Sequence, residues 1–556
     1  MSGRAGAGWL DALLLFYTLT AAVGLWAGYD RTGALAIFDN PVGWPKFGGL
    51  VLAALLGAGL ARLRTPQALR WALAALAGLG AAIALAFVSR CDWAEAPVNW
   101  SVLRELGQGW QRWLCGATCP PGPGPNINAV AGVLAPLLCL DAGLLAEVWQ
   151  SRPCGRGLWL LWGTLTALVM APALLVTSSR GAWLGLSAAL YLLAVWRGLG
   201  RRYGKFLAWV ARDGLTVAML LLLPWFRALL LRQPDIANRV WIFTRGALLV
   251  RDFPFTGSGL GNFALLDSTY AELIHVPTLP YGHAVLLDAA IEQGLPGALA
   301  LAAIGALALW RGLWALGRHA RAVPPTLAAA LLALVVVMVH GLVDTPYGSS
   351  RFLPLLFAPP AMVLASLRVM DDAPTARQRW AGGVLVAGVA LAAGWGVWQA
   401  GPALPAAWHA NLGAVAQAHV ELPPYDYQRF WARTLDQIRQ EEDFNVAEAR
   451  YRRALALDPT QVTARTRLAQ LALSRGEYEA ALAHARAAWD AGYRDRVVTM
   501  TYSDALIAQG AVAEGAALVR GLPRAAMRLE WQWYRYRSRD DVAQQRYVEQ
   551  ALEWIR

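Results

Sequence analysis

From residue 9 to residue 399 the chain is a succession of apolar runs, each near the length a helix needs to cross about 30 Å of hydrocarbon, roughly 17 to 25 residues. They fall at 9–28, 47–61, 71–89, 127–146, 157–176, 181–196, 206–231, 295–314, 326–343, 352–369 and 381–399, about eleven in all, the second of them short. Runs of this kind predict an all-α, polytopic helical bundle. Composition agrees: only 15% of the 556 residues are charged, against about a quarter in a soluble domain. The net charge of +12 does not point to nucleic acid, because the arginines sit in short links between apolar runs and form no single basic face. The first run lacks the small-residue cleavage site and polar sequel of a removable signal peptide, and is expected to stay as a span.

The distribution of arginine predicts orientation. Arg62, Arg64 and Arg70, then Arg152 and Arg156, then Arg197, Arg201, Arg202 and Lys205, then Arg311, Arg318 and Arg321, then Arg368, Arg377 and Arg379 occupy every second link. Basic links stay in the cytoplasm, so the amino terminus is expected inside and the carboxyl terminus outside. The polar segments 90–125, 178–181, 232–281 and 344–351 then share the outer face. The first of these holds Cys91, Cys115 and Cys119, and either a Cys91–Cys115 or a Cys115–Cys119 bridge fits an oxidising compartment. It also holds Trp93, Trp100, Trp110 and Trp113, which read as an interfacial belt or as rings for stacking on sugars. The scattered cysteines give no zinc spacing.

The chemistry concentrates in the outer segments. Ser178-Ser179-Arg180-Gly181 lies at a tight turn between two spans, where an arginine either snorkels to headgroups or offers a planar cationic fork to a phosphate. In the long loop, Ile236, Val240, Phe243, Ala247 and Val250 recur at helical spacing. Arg239 lies about 40° from Phe243 on that helix and Arg245 points away, so Arg239 is the one expected in a common site. The glycine-rich run Thr256-Gly257-Ser258-Gly259-Leu260-Gly261-Asn262 follows no strand and precedes no Gly-Lys-Ser/Thr, so it is not a nucleotide loop; it reads as a close-packed turn. His283 opens the next apolar helix, and its imidazole can exchange a proton near neutral pH. Glu292 is out of phase with it, which leaves Asp344 as the carboxylate best placed by topology to serve it.

Taken together, Ser179-Arg180-Gly181, the run from Arg239 through Pro254 to Gly257-Ser258-Gly259-Leu260-Gly261-Asn262-Phe263, and His283 with Glu292-Gln293-Gly294-Leu295-Pro296-Gly297 resemble the O-antigen ligase and polymerase superfamily of bacterial membrane glycosyltransferases. The resemblance spans about residues 10–400, with its motifs confined to 178–344. It implies a GT-C-type bundle in the bacterial inner membrane that takes a glycan from an undecaprenyl-diphosphate carrier at the periplasmic face and passes it, without a metal ion or other cofactor, to an acceptor hydroxyl. It also implies that Arg180 and Arg239 engage the diphosphate and that His283 acts near the acceptor; Ser179, Gly259, Asn262 and Asp344, in the same polar segments, are expected as substrate contacts. Many relatives carry Asn after this histidine, where this chain has Ala284.

Beyond the last span the composition changes. Residues 401–444 carry Pro402, Pro405, Pro423 and Pro424 and are expected as a linker between a membrane domain, 1–400, and a soluble helical domain, 445–556. There, Tyr451 and Ala485, Ala454 and Ala488, Leu455 and Trp489, and Gly476 and Gly510 are each 34 residues apart. This resembles tetratricopeptide repeats, which implies either a groove for a protein partner or a plain helical hairpin packed on the bundle. The sequence leaves the acceptor open between lipid, glycan and protein, as it leaves ligase, polymerase and protein O-oligosaccharyltransferase open. A lipid-linked glycan transporter would carry mid-span charges and repeated spans; a membrane scaffold would leave Arg180, Arg239 and His283 without a task.

Overall fold

The computed structural model describes residues 8–38, 40–95, 98, 100–116, 126–202, 234–318, 323–346, 352–370, 401–429 and 433–556. Among these the secondary structure is helical throughout, without a strand. Six helices among the described residues are long and apolar enough to cross a membrane: Gly8–Ala27, Trp44–Ala61, Pro66–Arg90, Ile127–Ser151, Arg156–Thr177 and the segment Val285–Leu316. Two shorter apolar stretches, Pro325–His340 and Leu353–Val369, join them. The expected spans 206–231 and 381–399 lie outside the described residues.

The helices bury one stripe and turn another outward. Leu73, Phe87, Val130, Leu134, Leu140 and Met170 are buried in one continuous core, while Leu15, Leu55, Trp71, Leu158, Leu168 and Leu299 stand exposed on its outside. Such an outer surface suits hydrocarbon as solvent. Helices in lipid gain little from burying apolar area against one another, so close backbone approach carries the packing. His340, at the end of Pro325–His340, shows it: a methyl group placed on Gly132 or on Gly181 would meet its ring at 2.4 Å and 2.7 Å.

The helix Val285–Arg318 is broken at Gly294, whose φ of 73° and ψ of 178° suit glycine alone. The break receives the glycine-rich run. Leu295 N–H donates to the Pro254 carbonyl at 2.8 Å, and both N–H and Oγ of Ser258 donate to the Ile291 carbonyl, at 2.7 and 2.9 Å. A salt bridge of 2.5 Å between Lys46 and Glu292, both nearly buried, fastens the same turn to the helix Trp44–Ala61.

The segment expected as a linker differs from expectation. It contains the helices Ala403–Glu421 and Leu435–Glu441. Pro402 and Pro405 sit at the start of the first, where a missing N–H costs nothing, and Pro423–Pro424 follow its end; Ala406, Ala410, Ala414 and Ala418 give it a buried stripe. The hairpins that follow are Val462–Arg475 with Tyr478–Asp490, Arg496–Ala508 with Val512–Val519, and Ala525–Arg537 with Val542–Ile555. Gly476 and Gly510, both at positive φ, end the first helices of two of these hairpins, and Tyr451, Ala454, Ala485 and Ala488 are buried, as the 34-residue spacing requires. In the basic aromatic strip of Ala525–Arg537, Arg535 is buried against Asp436 at 3.1 Å while Tyr534 stays exposed.

Cys91 is a free thiol and Cys115 is disulfide-bonded, so the Cys91–Cys115 pairing does not form. Cys119 lies outside the described residues.

Candidate active site

Three segments distant in sequence meet at one carboxylate. Arg239 stands on the helix Pro234–Asp252, His283 precedes Val285–Arg318, and Asp344 follows Pro325–His340. The Arg239 guanidinium donates to Asp344 Oδ2 at 3.3 Å, and His283 Nδ1 faces Asp344 Oδ1 at 3.3 Å. The Asp344 side chain is 6% exposed, that of His283 16% and that of Arg239 29%. The carboxylate is therefore sunk while its two partners keep an edge toward solvent.

The sequence builds this locally. After His340 the chain makes one further turn, with Val343 and Asp344 N–H both donating to the His340 carbonyl, and Thr345 N–H donates to Asp344 Oδ1 at 2.8 Å. Val285 N–H donates to the Gly341 carbonyl at 2.8 Å, which ties the start of the histidine's helix to this turn. His283 itself has φ of 58°, a left-handed conformation that costs a residue with a side chain about 1–3 kcal/mol and persists only where its surroundings impose it. They do. Gly282 N–H donates to Asp288 Oδ1 at 2.6 Å, and the Tyr281 ring packs on the imidazole with centroids 4.5 Å apart. Asn126 caps the helix Ile127–Ser151 through its Oδ1 and, through Nδ2, donates to the Tyr281 hydroxyl at 2.9 Å.

Electrostatics agree with the geometry. Burial opposes the charge on Asp344, yet the bond from His283, the neighbouring Arg239 and the Thr345 N–H outweigh it and hold its pKa below the ordinary carboxylate value. Burial, then the nearby Asp344 and Asp288, push the Tyr281 phenol up, so it stays protonated at neutral pH. The other terminal nitrogen of Arg239 is itself buried and makes no hydrogen bond among the described residues.

The other expected residues are placed unequally. Arg180 opens the helix Arg180–Arg202, and its side chain is exposed. The adjoining Gly181 lies against His340 and Val343, so the arginine's backbone borders the turn that carries Asp344. Ser179 is buried, and its Oγ has no hydrogen-bond partner among the described residues. Gly259 and Asn262 pack on Gly28 at the end of the first helix: a methyl group on Gly28 would lie 2.6 Å from the Asn262 side-chain oxygen. Their described contacts do not reach the Arg239–Asp344–His283 chain. Arg245 turns away from it into a buried cluster with Asp267 at 3.0 Å and Glu272 at 2.6 Å, over the Trp241 ring. Sequence reasoning missed Tyr281, Asn126, Asp288 and Lys46. Asn126 alone left a signal, as a capping residue directly before an apolar run.

Residues 165–302 match a family model described as O-antigen ligase, and residues 439–498 match one described as tetratricopeptide repeat. The first match contains Arg180, Arg239 and His283 and stops short of Asp344. No curated protein matches the chain. The match to the O-antigen ligase model supports a membrane glycosyltransferase-type role.

Proposed function

We propose that the protein transfers a glycan from an undecaprenyl-diphosphate carrier to an acceptor hydroxyl at the periplasmic face, in the manner of an O-antigen ligase. The observation that carries the reading is the shared carboxylate: Asp344 holds a permanent cation and an imidazole side by side, each partly open to solvent. With the proton of His283 on Nδ1, directed at Asp344, the lone pair on Nε2 is free to accept. The acceptor hydroxyl gives its proton to Nε2 as its oxygen bonds to the anomeric carbon. The bond from that carbon to the diphosphate breaks, and the carrier diphosphate leaves with the electron pair. Charge grows on the departing phosphate oxygen, and fixed guanidinium groups aimed there favour the transition state over the ground state. Arg239 supplies one such group and Arg180 the other; Ser179 adjoins Arg180 in sequence. A general base of this kind contributes about 10²–10⁴-fold. The same donor chemistry serves a polymerase or a protein O-oligosaccharyltransferase, and the acceptor distinguishes them.

The test is to incubate purified protein with a lipid-diphosphate glycan and candidate acceptors and to follow release of undecaprenyl diphosphate. Release by the wild type, and its loss in Arg180→Ala and in Arg239→Ala with membrane insertion retained, is the expected result. Full activity of both variants would overturn the assignment.

A further inference from the structure

Repeat domains of this kind expose a concave groove lined by the first helix of each hairpin, and such a groove commonly takes an extended or helical segment of another chain. Here it is filled. The outer loop from Phe263 to His275, which includes a short helix at Phe263–Leu266 and a π-helical turn at Asp267–Glu272, lies on the first helices one after another. Leu265, Leu266, Tyr270, Ala271 and Leu273 share one apolar cluster with Leu435 and Ile438, with Val497 and Met500, and with Ala525. The Arg467 guanidinium lies over the Tyr270 ring, 3.4 Å from its centroid. The Tyr270 hydroxyl donates to Glu421, which Arg439 pairs at 2.7 Å. Glu272 is fully buried and takes Arg524 at 2.6 Å; Arg496 donates to its carbonyl at 3.3 Å, and Arg528 donates to the Leu273 carbonyl at 2.8 Å.

A second grip lies at the end of the helix that bears Arg239. Asp252 accepts from Arg467 at 2.7 Å and from Thr463 at 2.8 Å, both buried, and Arg251 pairs with Asp495 at 2.6 Å. The segment carrying Arg239 thus ends in the repeats, and the chain that leaves them at His275 reaches His283 only eight residues later. A shift of about 1 Å at a reacting group costs on the order of 10²-fold in rate, so whatever fixes both segments sets the rate.

We propose that the repeat groove has the chain's own outer loop as its ligand, and that this clasp positions Arg239 and His283. The repeats act in cis on the transfer site, and that groove recruits no separate peptide. The positioning half of this statement rests on the transferase reading above; the clasp does not.

The experiment uses the full-length protein in lipid nanodiscs and compares wild type with the double variant Arg496→Gln/Arg524→Gln, reading amide hydrogen exchange and transfer together. The expected result is faster exchange at residues 263–275 and 281–285 with that of 478–490 unchanged, and a kcat lower by about 10-fold or more with little change in acceptor KM. Arg556→Ala, which removes an exposed pair far along the last hairpin, changes none of these. Should the double variant fail to fold, Arg524→Gln alone, which loses the partly exposed pair with Glu272, gives the same pattern at smaller amplitude. Unchanged exchange at 263–275 would overturn the clasp. Faster exchange there with unaltered kcat would overturn the positioning role. An inactive wild type whose variant still shows faster exchange at both segments would sustain the clasp and refute the transferase reading.

Discussion

His283 holds a backbone conformation that a side chain disfavours, and it does so where Asp288 fixes the preceding peptide and Asp344 receives the ring. Strain imposed from both sides fixes an imidazole in one direction, which a proton acceptor needs and a packed core histidine does not. His340, with no exposed surface and neither ring nitrogen hydrogen-bonded among the described residues, is the contrasting case. Because the folded-state pKa of Asp344 lies below its unfolded value of about 3.9, its charge contributes stability that is complete above that value and is lost as pH falls through the folded pKa. Wild type should therefore melt higher than Asp344→Asn by a constant margin from pH 8 to about pH 5, and the margin should narrow as pH falls below about 4 and vanish below the folded-state pKa; a margin that stays constant into strong acid would count against a charged Asp344. Arg239→Lys should lose transfer almost as fully as Arg239→Ala, since an ammonium cannot serve a carboxylate and a phosphate at once with a planar fork. A lysine variant with wild-type kcat would show that only charge matters there.

Among the elements, the glycine-rich run and the broken helix form one unit. Its ion pair, Lys46–Glu292, joins residues 246 positions apart, at side-chain exposures of 7% and 9%. Breaking such a pair on one side strands a buried charge at a cost of about 3–5 kcal/mol, whereas replacing both partners with apolar residues is close to neutral. Glu292→Leu should thus lower the melting temperature markedly, and Lys46→Met/Glu292→Leu should recover most of the loss; equal losses in both would contradict the account. Much of this level was legible in the sequence. The period of Ile236, Val240 and Phe243 gives a helix, realised as Pro234–Asp252, and the phase of Glu292 excludes it from His283, consistent with its pairing elsewhere. The partner Lys46 was not legible, because nothing in a local pattern reports which of several outer charges a kinked helix will meet. The helix Ala403–Glu421 was hidden for another reason: its flanking prolines mark helix ends as readily as they mark a linker.

At the scale of the whole molecule, a bundle with an apolar exterior carries a helical repeat domain that packs on the bundle's own segment 263–275. The run lengths made the bundle legible and the 34-residue spacing made the repeats legible. Their union was not, since it depends on pairs such as the buried Asp252–Arg467 and the half-buried Glu272–Arg524 between segments more than 200 residues apart. The same holds for the meeting of Arg239, His283 and Asp344, which topology suggested only as a shared face. The most direct test of the central claim is a density map of the protein with a bound lipid-diphosphate glycan. The account predicts the diphosphate oxygens within about 3 Å of the Arg239 and Arg180 guanidinium groups, with the anomeric carbon toward His283 Nε2. A diphosphate bound elsewhere in the bundle, with the Arg239–Asp344–His283 chain unoccupied, would contradict it.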